Sequence, residues 1–182
     1  MRTVVGLTGA SGAAVAVDFL KRCPGEKYLI LSRWGKSVLF QETGLTPENL
    51  APYVDHIFSN DDMNAPFASG SVSFDQYVIL PCSLTTLARL AGGIGENLIS
   101  RVGEVALKEN RRMLLGLRES PLSAIALENA LKLSRLGVTI MPLSPAFYLQ
   151  PKSVDQMVSD FVDHIFSALH LPSKQGWREE LI

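Results

Sequence analysis

Two stretches place glycine and hydroxyl residues where they could hold a phosphate or the edge of a heterocycle. One is Thr8-Gly9-Ala10-Ser11-Gly12 and the other is Ser83-Leu84-Thr85-Thr86. In each, an apolar run breaks abruptly and a helix-like pattern follows. Glycine lets backbone approach a ligand closely, and Ser11 can cap the helix or donate to a bound group. Unpaired N–H groups and the positive dipole end of a helix suit a phosphate. An ordinary tight turn, with Ser83 as a plain N-cap, accounts for the same residues, so the rest of the chain has to decide. Arg101, Lys108, Arg111 and Arg112 form a basic run. Arg101 and Lys108 are seven apart and share a helix face, which suits either a phosphorylated substrate or solvent. Arg118-Glu119 leads into Ser120-Pro121. That arginine can hold a phosphate or carbonyl oxygen, or simply pair with its neighbour. Tyr148 stands in Phe147-Tyr148-Leu149-Gln150-Pro151, where its hydroxyl could close a site or its ring could lie half-buried in a loop.

These residues have to be positioned by strands and helices that the pattern of the chain outlines. Strands are expected at 3–7, 28–31, 56–58, 77–80, 112–117 and 138–141, each a short and nearly continuous apolar run. Helices are expected at 13–22, 34–43, 84–90, 98–109, 123–136 and 153–169, with stops at Cys23-Pro24-Gly25, Gly44 and Gly137. Ser153 should cap the last of them, with Asp155 and Gln156 in its first turn. Continuously apolar strands alternating with helices predict an α/β fold: a parallel sheet covered on both faces, a three-layer Rossmann-like (flavodoxin-like) arrangement. Ligands of such sheets bind beyond the carboxyl ends of the strands. Those ends are Thr8 to Ser11, Ser32-Arg33, Pro81-Cys82-Ser83, Arg118-Glu119 and Pro142-Leu143-Ser144. They carry hydroxyls and one Arg–Glu pair but no histidine, cysteine pair or acidic cluster, so no metal is expected. The long stretch 60–73 is rich in turn formers, yet Met63, Pro66 and Phe67 argue against full solvation.

Composition narrows the class. The chain has 182 residues, 47% hydrophobic and 19% charged, which fits one globular domain over 1–171 with a polar tail, 172–182. Trp177 in that tail needs the body or a neighbouring subunit to dock on. Lys plus Arg total 17 against 18 for Asp plus Glu, so no basic excess points to nucleic acid. No apolar run is long enough to span a bilayer, and the first residues enter a strand pattern directly. A soluble, cytoplasmic protein is expected. Cys23 and Cys82 make neither a metal spacing nor a disulfide framework.

Taken in order, the motifs resemble the UbiX flavin prenyltransferase family, within the wider flavin-binding, cysteine-decarboxylase-like group. The matching residues are Thr8 to Gly12, Glu42-Thr43, Ala68-Ser69-Gly70-Ser71, Pro81-Cys82-Ser83 with Thr86, Val105 to Glu109, Arg118 to Pro121, Leu127-Glu128-Asn129, Met141-Pro142 and Phe147 to Pro151. They span roughly residues 3 to 170. The resemblance implies a homododecamer with sites at subunit contacts. It implies transfer of a dimethylallyl group from dimethylallyl phosphate to reduced FMN, at N5 and C6, giving prenylated FMN for a UbiD-type decarboxylase.

Carried over by position, the resemblance implies that Gly9, Ala10, Ser11, Ser32, Ser83, Leu84, Thr85, Thr86 and Arg118 hold FMN. Ser69 and its neighbours would line the prenyl pocket, and Arg101, Lys108, Tyr148, His164 and Trp177 complete the substrate side. Ser11 and Glu119 would assist proton movement, and Glu42 would lie near the phosphate. His164 departs from the pattern, since the family usually has arginine sixteen residues after the tyrosine. Histidine reaches less far and is only partly charged at neutral pH. That departure keeps a second reading open, an FMN-binding oxidoreductase or electron-transfer flavoprotein of the same fold. A cysteine decarboxylase fits less well, because His56, His164 and His170 all lie away from the first helix.

Overall fold

The computed structural model describes residues 1–173. Trp177 and most of the expected tail therefore lie outside the described residues. The elements run β1 (Arg2–Leu7), α1 (Ala13–Arg22), β2 (Glu26–Leu31), α2 (Arg33–Thr43), α3 (Pro47–Leu50), β3 (His56–Ser59) and β4 (Gln76–Cys82). They continue with α4 (Leu84–Gly92), α5 (Leu98–Lys108), β5 (Arg112–Leu117), α6 (Ala124–Arg135), β6 (Thr139–Pro142) and α7 (Val154–Ala168).

All strands pair in parallel, in the order β3-β2-β1-β4-β5-β6. Strand alternation sorts side chains between two cores. Val5, Leu7, Leu29, Leu31, Val78 and Leu80 point to the face covered by α1, α2 and α7. Val4, Ile30, Tyr77, Ile79 and Leu115 point to the face covered by α4, α5 and α6. The three-layer expectation is met. Each such side chain, wholly removed from water, contributes about 1.5–3 kcal/mol. The chain winds outward from β1 to β3 and then resumes at β4 on the other side of β1. That reversal opens a crevice between the carboxyl ends of β1 and β4, where doubly wound sheets bind ligands.

Several local expectations need correction. The fourth strand runs on through Pro81 to Cys82, because both side chains are still buried. The stretch 60–73 contains a 3₁₀ turn, Pro66–Ala68, that buries Phe67 against Phe58 and Phe74, whereas Met63 lies out in solvent. Helix α6 turns only a narrow stripe of Ala126, Ala130 and Leu133 to the core, so most of its large apolar residues do not aim inward. Ile125, Leu127, Leu131 and Leu136 are exposed instead.

Candidate active site at the β1–β4 crevice

The crevice is built on Thr8. Its hydroxyl donates to the Pro81 carbonyl at 2.8 Å and accepts from the Ser83 N–H at 2.9 Å. It is buried and spent on tying β1 to β4, so it is scaffold rather than ligand. Beyond it the chain needs close approach. A Cβ on Gly9 would stand 2.4 Å from Cβ of Trp34, and one on Gly12 would stand 2.7 Å from Cδ1 of Leu143. Gly12 also has φ +115°, a conformation that L side chains rarely adopt.

Ser11 does not cap α1. Gly12 is the N-cap and has no side chain to offer. The carboxylate of Glu42, in the last turn of α2, accepts from Gly12 N–H at 2.9 Å and Ala13 N–H at 2.8 Å. An anion therefore does sit at this helix end, as the dipole favours, but it belongs to the chain. Glu42 thus has a structural task beside the catalytic one implied for it, and Ser11 keeps its hydroxyl for other partners.

Neighbouring strand ends supply the remaining groups. Ser32 caps α2 by accepting from Gly35 N–H at 2.9 Å, and its own N–H reaches the Leu7 carbonyl at 3.1 Å. Ser83 caps α4 and its hydroxyl lies 3.1 Å from that of Thr86. Leu84 is half-buried and Thr85 exposed at the start of the same helix. Arg118 follows β5 with its N–H on the Cys82 carbonyl, and its side chain is exposed. Among the described residues no carboxylate pairs with it, so the expected alternative of an Arg118–Glu119 ion pair is not formed. Glu119 is exposed and accepts from the Ser120 N–H at 3.0 Å. Gly9, Ala10, Ser11, Ser32, Ser83, Leu84, Thr85, Thr86, Arg118 and Glu119 thus share one edge of the sheet. Trp34, 65% exposed beside Gly9 and under the Arg33 guanidinium, is a wall that sequence reasoning missed. Its place two residues after Ser32, next to Arg33, was the available signal.

Lys108 and His164, on the substrate side, are not at that edge in the single chain. Helix α5 starts near the carboxyl edge, where Asn60 accepts from the Leu98 and Ile99 N–H groups, and ends at Lys108, just before β5 begins. Lys108 is therefore near the opposite edge, its ammonium 2.6 Å from the Glu109 carboxylate. That lysine holds the Glu109 carboxyl below the usual carboxylate range. Arg101 spends Nε on the Ala68 carbonyl at 3.0 Å and Nη1 on Glu104 at 3.1 Å. Ser69 is exposed on the same segment, its hydroxyl 2.8 Å from that of Ser71. Tyr148 lies in a 3₁₀ turn (Phe147–Leu149) and is 65% exposed, so the half-buried alternative fails. His164 is exposed, ten residues into α7, with its ring 6.3 Å from that of Phe161. The Leu169 carbonyl beyond it accepts from Arg112 at the start of β5, so α7 descends toward the amino edge. A cleft of about 790 Å³ opens on that amino edge, lined by residues that include Met1, Gln76, Arg112 and Val138, away from the glycine turn.

Cys82 lies beside the crevice but is inert. Burial pushes its thiol up to about 12. At pH 8 only about one thiol in ten thousand is then the reactive thiolate. The expected result is no alkylation of the native chain by iodoacetamide at pH 8 over the time in which the denatured chain labels at both cysteines. Rapid native labelling would contradict the burial. The same shift makes stability pH-dependent. Below about pH 8.5 both folded and unfolded thiols are protonated, so nothing changes. Above it the unfolded thiol ionises while the folded one does not, so stability falls as pH rises toward 12.

Among the described residues no helix is long and apolar enough to cross a membrane. A family model described as Flavoprotein matches residues 1–169. A relative from Thermoplasma acidophilum, named flavin prenyltransferase UbiX, is 46% identical over 91% of this chain and 92% of its own length. A crystal structure from Escherichia coli O157:H7, described as a dodecameric FMN-dependent UbiX-like decarboxylase, is 37% identical with TM-score 0.93, covering 98% of both chains. The structure of AnUbiX in complex with FMN and dimethylallyl pyrophosphate is 36% identical with TM-score 0.91, covering 97% of this chain and 98% of that one. The crevice at the strand reversal, its glycine turn and these likenesses agree, and the chain belongs to the flavoprotein family, among its UbiX-like flavin prenyltransferases.

Proposed function

We propose that this chain transfers a dimethylallyl group from dimethylallyl phosphate to reduced FMN, making prenylated FMN for a UbiD-type decarboxylase. The observation that carries this reading is the β1–β4 crevice, where an Arg118 guanidinium with no acidic partner among the described residues, the Ser11, Ser83 and Thr86 hydroxyls and two glycines with no room for a side chain share one edge. Those groups fit a flavin: a cation and hydroxyls for its phosphate and polar edge, and bare backbone for close approach. The named activities of relatives and the ligands of the AnUbiX structure support the same assignment.

The flavin supplies the nucleophile, so the protein needs none of its own. Gly9, Ala10, Ser32, Ser83, Leu84, Thr85, Thr86 and Arg118 hold and orient it. Arg101, Lys108 and Tyr148 bind the departing phosphate, whose charge has to be stabilised as the allylic C–O bond breaks. Ser69 borders the prenyl group. Ser11 and Glu119 exchange protons near the ring, and holding the ring against the allylic carbon is the chain's main contribution. Lys108 and His164 lie toward the edge opposite the flavin residues, so a second copy of the chain completes each site. The exposed apolar side chains of α6 supply surface for that assembly, a homododecamer acting in the cytoplasm.

The test mixes purified protein and reduced FMN, without oxygen, with dimethylallyl phosphate or pyrophosphate, and weighs the released flavin. A flavin heavier by one prenyl unit supports the proposal, and the better donor identifies the substrate. Unmodified FMN with both donors would overturn it. That outcome would favour the electron-transfer reading, to which His164 in place of arginine points.

A further inference from the structure

Arg111 stands outside every group assigned above, yet it holds the segment that carries Ser69. Helix α5 ends in a left-handed residue, Asn110 at φ 52°, whose N–H reaches the Leu107 carbonyl. The Arg111 N–H returns to the Ala106 carbonyl at 2.8 Å. This pair of bonds is a Schellman ending, and it fixes where the Arg111 side chain begins. From there Nη1 donates to the Val72 carbonyl at 2.8 Å and Nη2 to the Gly70 carbonyl at 2.9 Å. The guanidinium carbon lies 4.1 Å from the centre of the Phe74 ring, and Phe74 is buried. Arg101, in the first turn of α5, holds Ala68, the residue before Ser69, through its carbonyl.

The segment between these anchors lies beside the end of the Lys108 side chain. A Cβ placed on Gly70 would stand 2.6 Å from both Lys108 Nζ and Glu109 Oε1. Gly70 and the ammonium are therefore close neighbours, and a shift of one bears on the space open to the other. We propose that Arg111 is a positioning residue: its two-pronged hold on Gly70 and Val72 fixes the Ser69–Val72 segment and, through it, the stations of Ser69 and Lys108 against the prenyl phosphate. This rests on the proposed prenyl transfer. A planar guanidinium suits two carbonyls and a ring at once, and an ammonium cannot copy that geometry.

The test compares Arg111→Met and Arg111→Lys with the unmodified protein in the prenylation assay. Loss of two charge-assisted bonds to a surface segment should raise KM for dimethylallyl phosphate about tenfold in Arg111→Met. The turnover number should fall as well, because a displaced Lys108 stabilises the departing phosphate less, whereas FMN affinity should move less than about twofold, because the flavin edge does not touch Arg111. Arg111→Lys should show most of the same rise. The preference for dimethylallyl over geranyl phosphate should narrow in both, since a loosened segment admits the longer chain. Gly70→Ala, which displaces Lys108 Nζ from the other side at small cost in stability, should raise KM in the same way. An unchanged KM in Arg111→Met, full rescue by lysine, or a parallel loss of FMN affinity and turnover would each overturn the positioning role. If the unmodified protein forms no prenylated flavin, the functional reading fails and this inference falls with it. A product-forming parent with an unaltered Arg111→Met variant overturns the inference alone.

Discussion

Lys108→Met is expected to lower kcat/KM for prenyl transfer about a hundredfold to a thousandfold while FMN stays bound with its affinity within about twofold. The departing phosphate gains negative charge as the allylic bond breaks, and a cation aimed at that charge is worth most at the transition state. Methionine keeps the apolar stem of the lysine and removes only the charge. In the free chain the ammonium rests on Glu109 at 2.6 Å, so substrate phosphate competes with a carboxylate already in place. Steady-state kinetics with a parallel flavin titration makes the check. A variant within threefold of the parent would remove Lys108 from the phosphate site. A variant that loses FMN as well would place the lysine at the flavin instead.

The second large effect concerns Gly35, in the first turn of α2. A Cβ there would stand 2.3 Å from the Leu7 carbonyl oxygen and 2.9 Å from the Leu7 carbonyl carbon. Both are backbone of a central strand, and neither can step aside. Gly35→Ala therefore lifts α2 from β1 at a cost of about 3 kcal/mol. In a chain of this size that lowers Tm by about 6–12 °C. Function should fail with it, because Ser32 caps this helix through the Gly35 N–H and Trp34 packs on Gly9. Thermal unfolding followed by circular dichroism and by flavin release would show both losses together. A Tm within 2 °C of the parent would mean that the close approach of α2 to β1 is not needed.

The two variants separate kinds of glycine and cation that look alike in a sequence. Gly35 and Gly70 are both crowded, but one meets backbone and the other the ends of flexible side chains. Replacing the first attacks stability, and replacing the second redirects a functional group. Arg111 and Arg118 likewise differ in what their guanidinium groups meet. Arg111 is committed to two carbonyls, whereas Arg118 has no acidic partner among the described residues and is ready for an anion.

By itself the sequence determined the elements and their class. Short continuously apolar runs bounded by turn residues, such as Leu29 to Leu31 and Leu114 to Leu117, read as strands covered on both faces, and their alternation with helices points to a parallel sheet. Strand ends are equally legible, because glycine, serine and proline interrupt apolar runs abruptly, and so Ser11, Ser32, Ser83 and Arg118 could be named. The tertiary structure alone decided which of those ends are neighbours. The reversal at β1 and β4, set by pairing between residues more than seventy positions apart, makes one crevice from two distant turns. It also decided what each polar group has left to give. Thr8 is consumed in joining the strands, Glu42 takes the amides expected for a phosphate, and Arg111 is bound by carbonyls forty positions away in the chain, give or take one. A hydrogen-bond donor satisfied by the fold is no longer free for a ligand, and only the packed chain shows which donors those are.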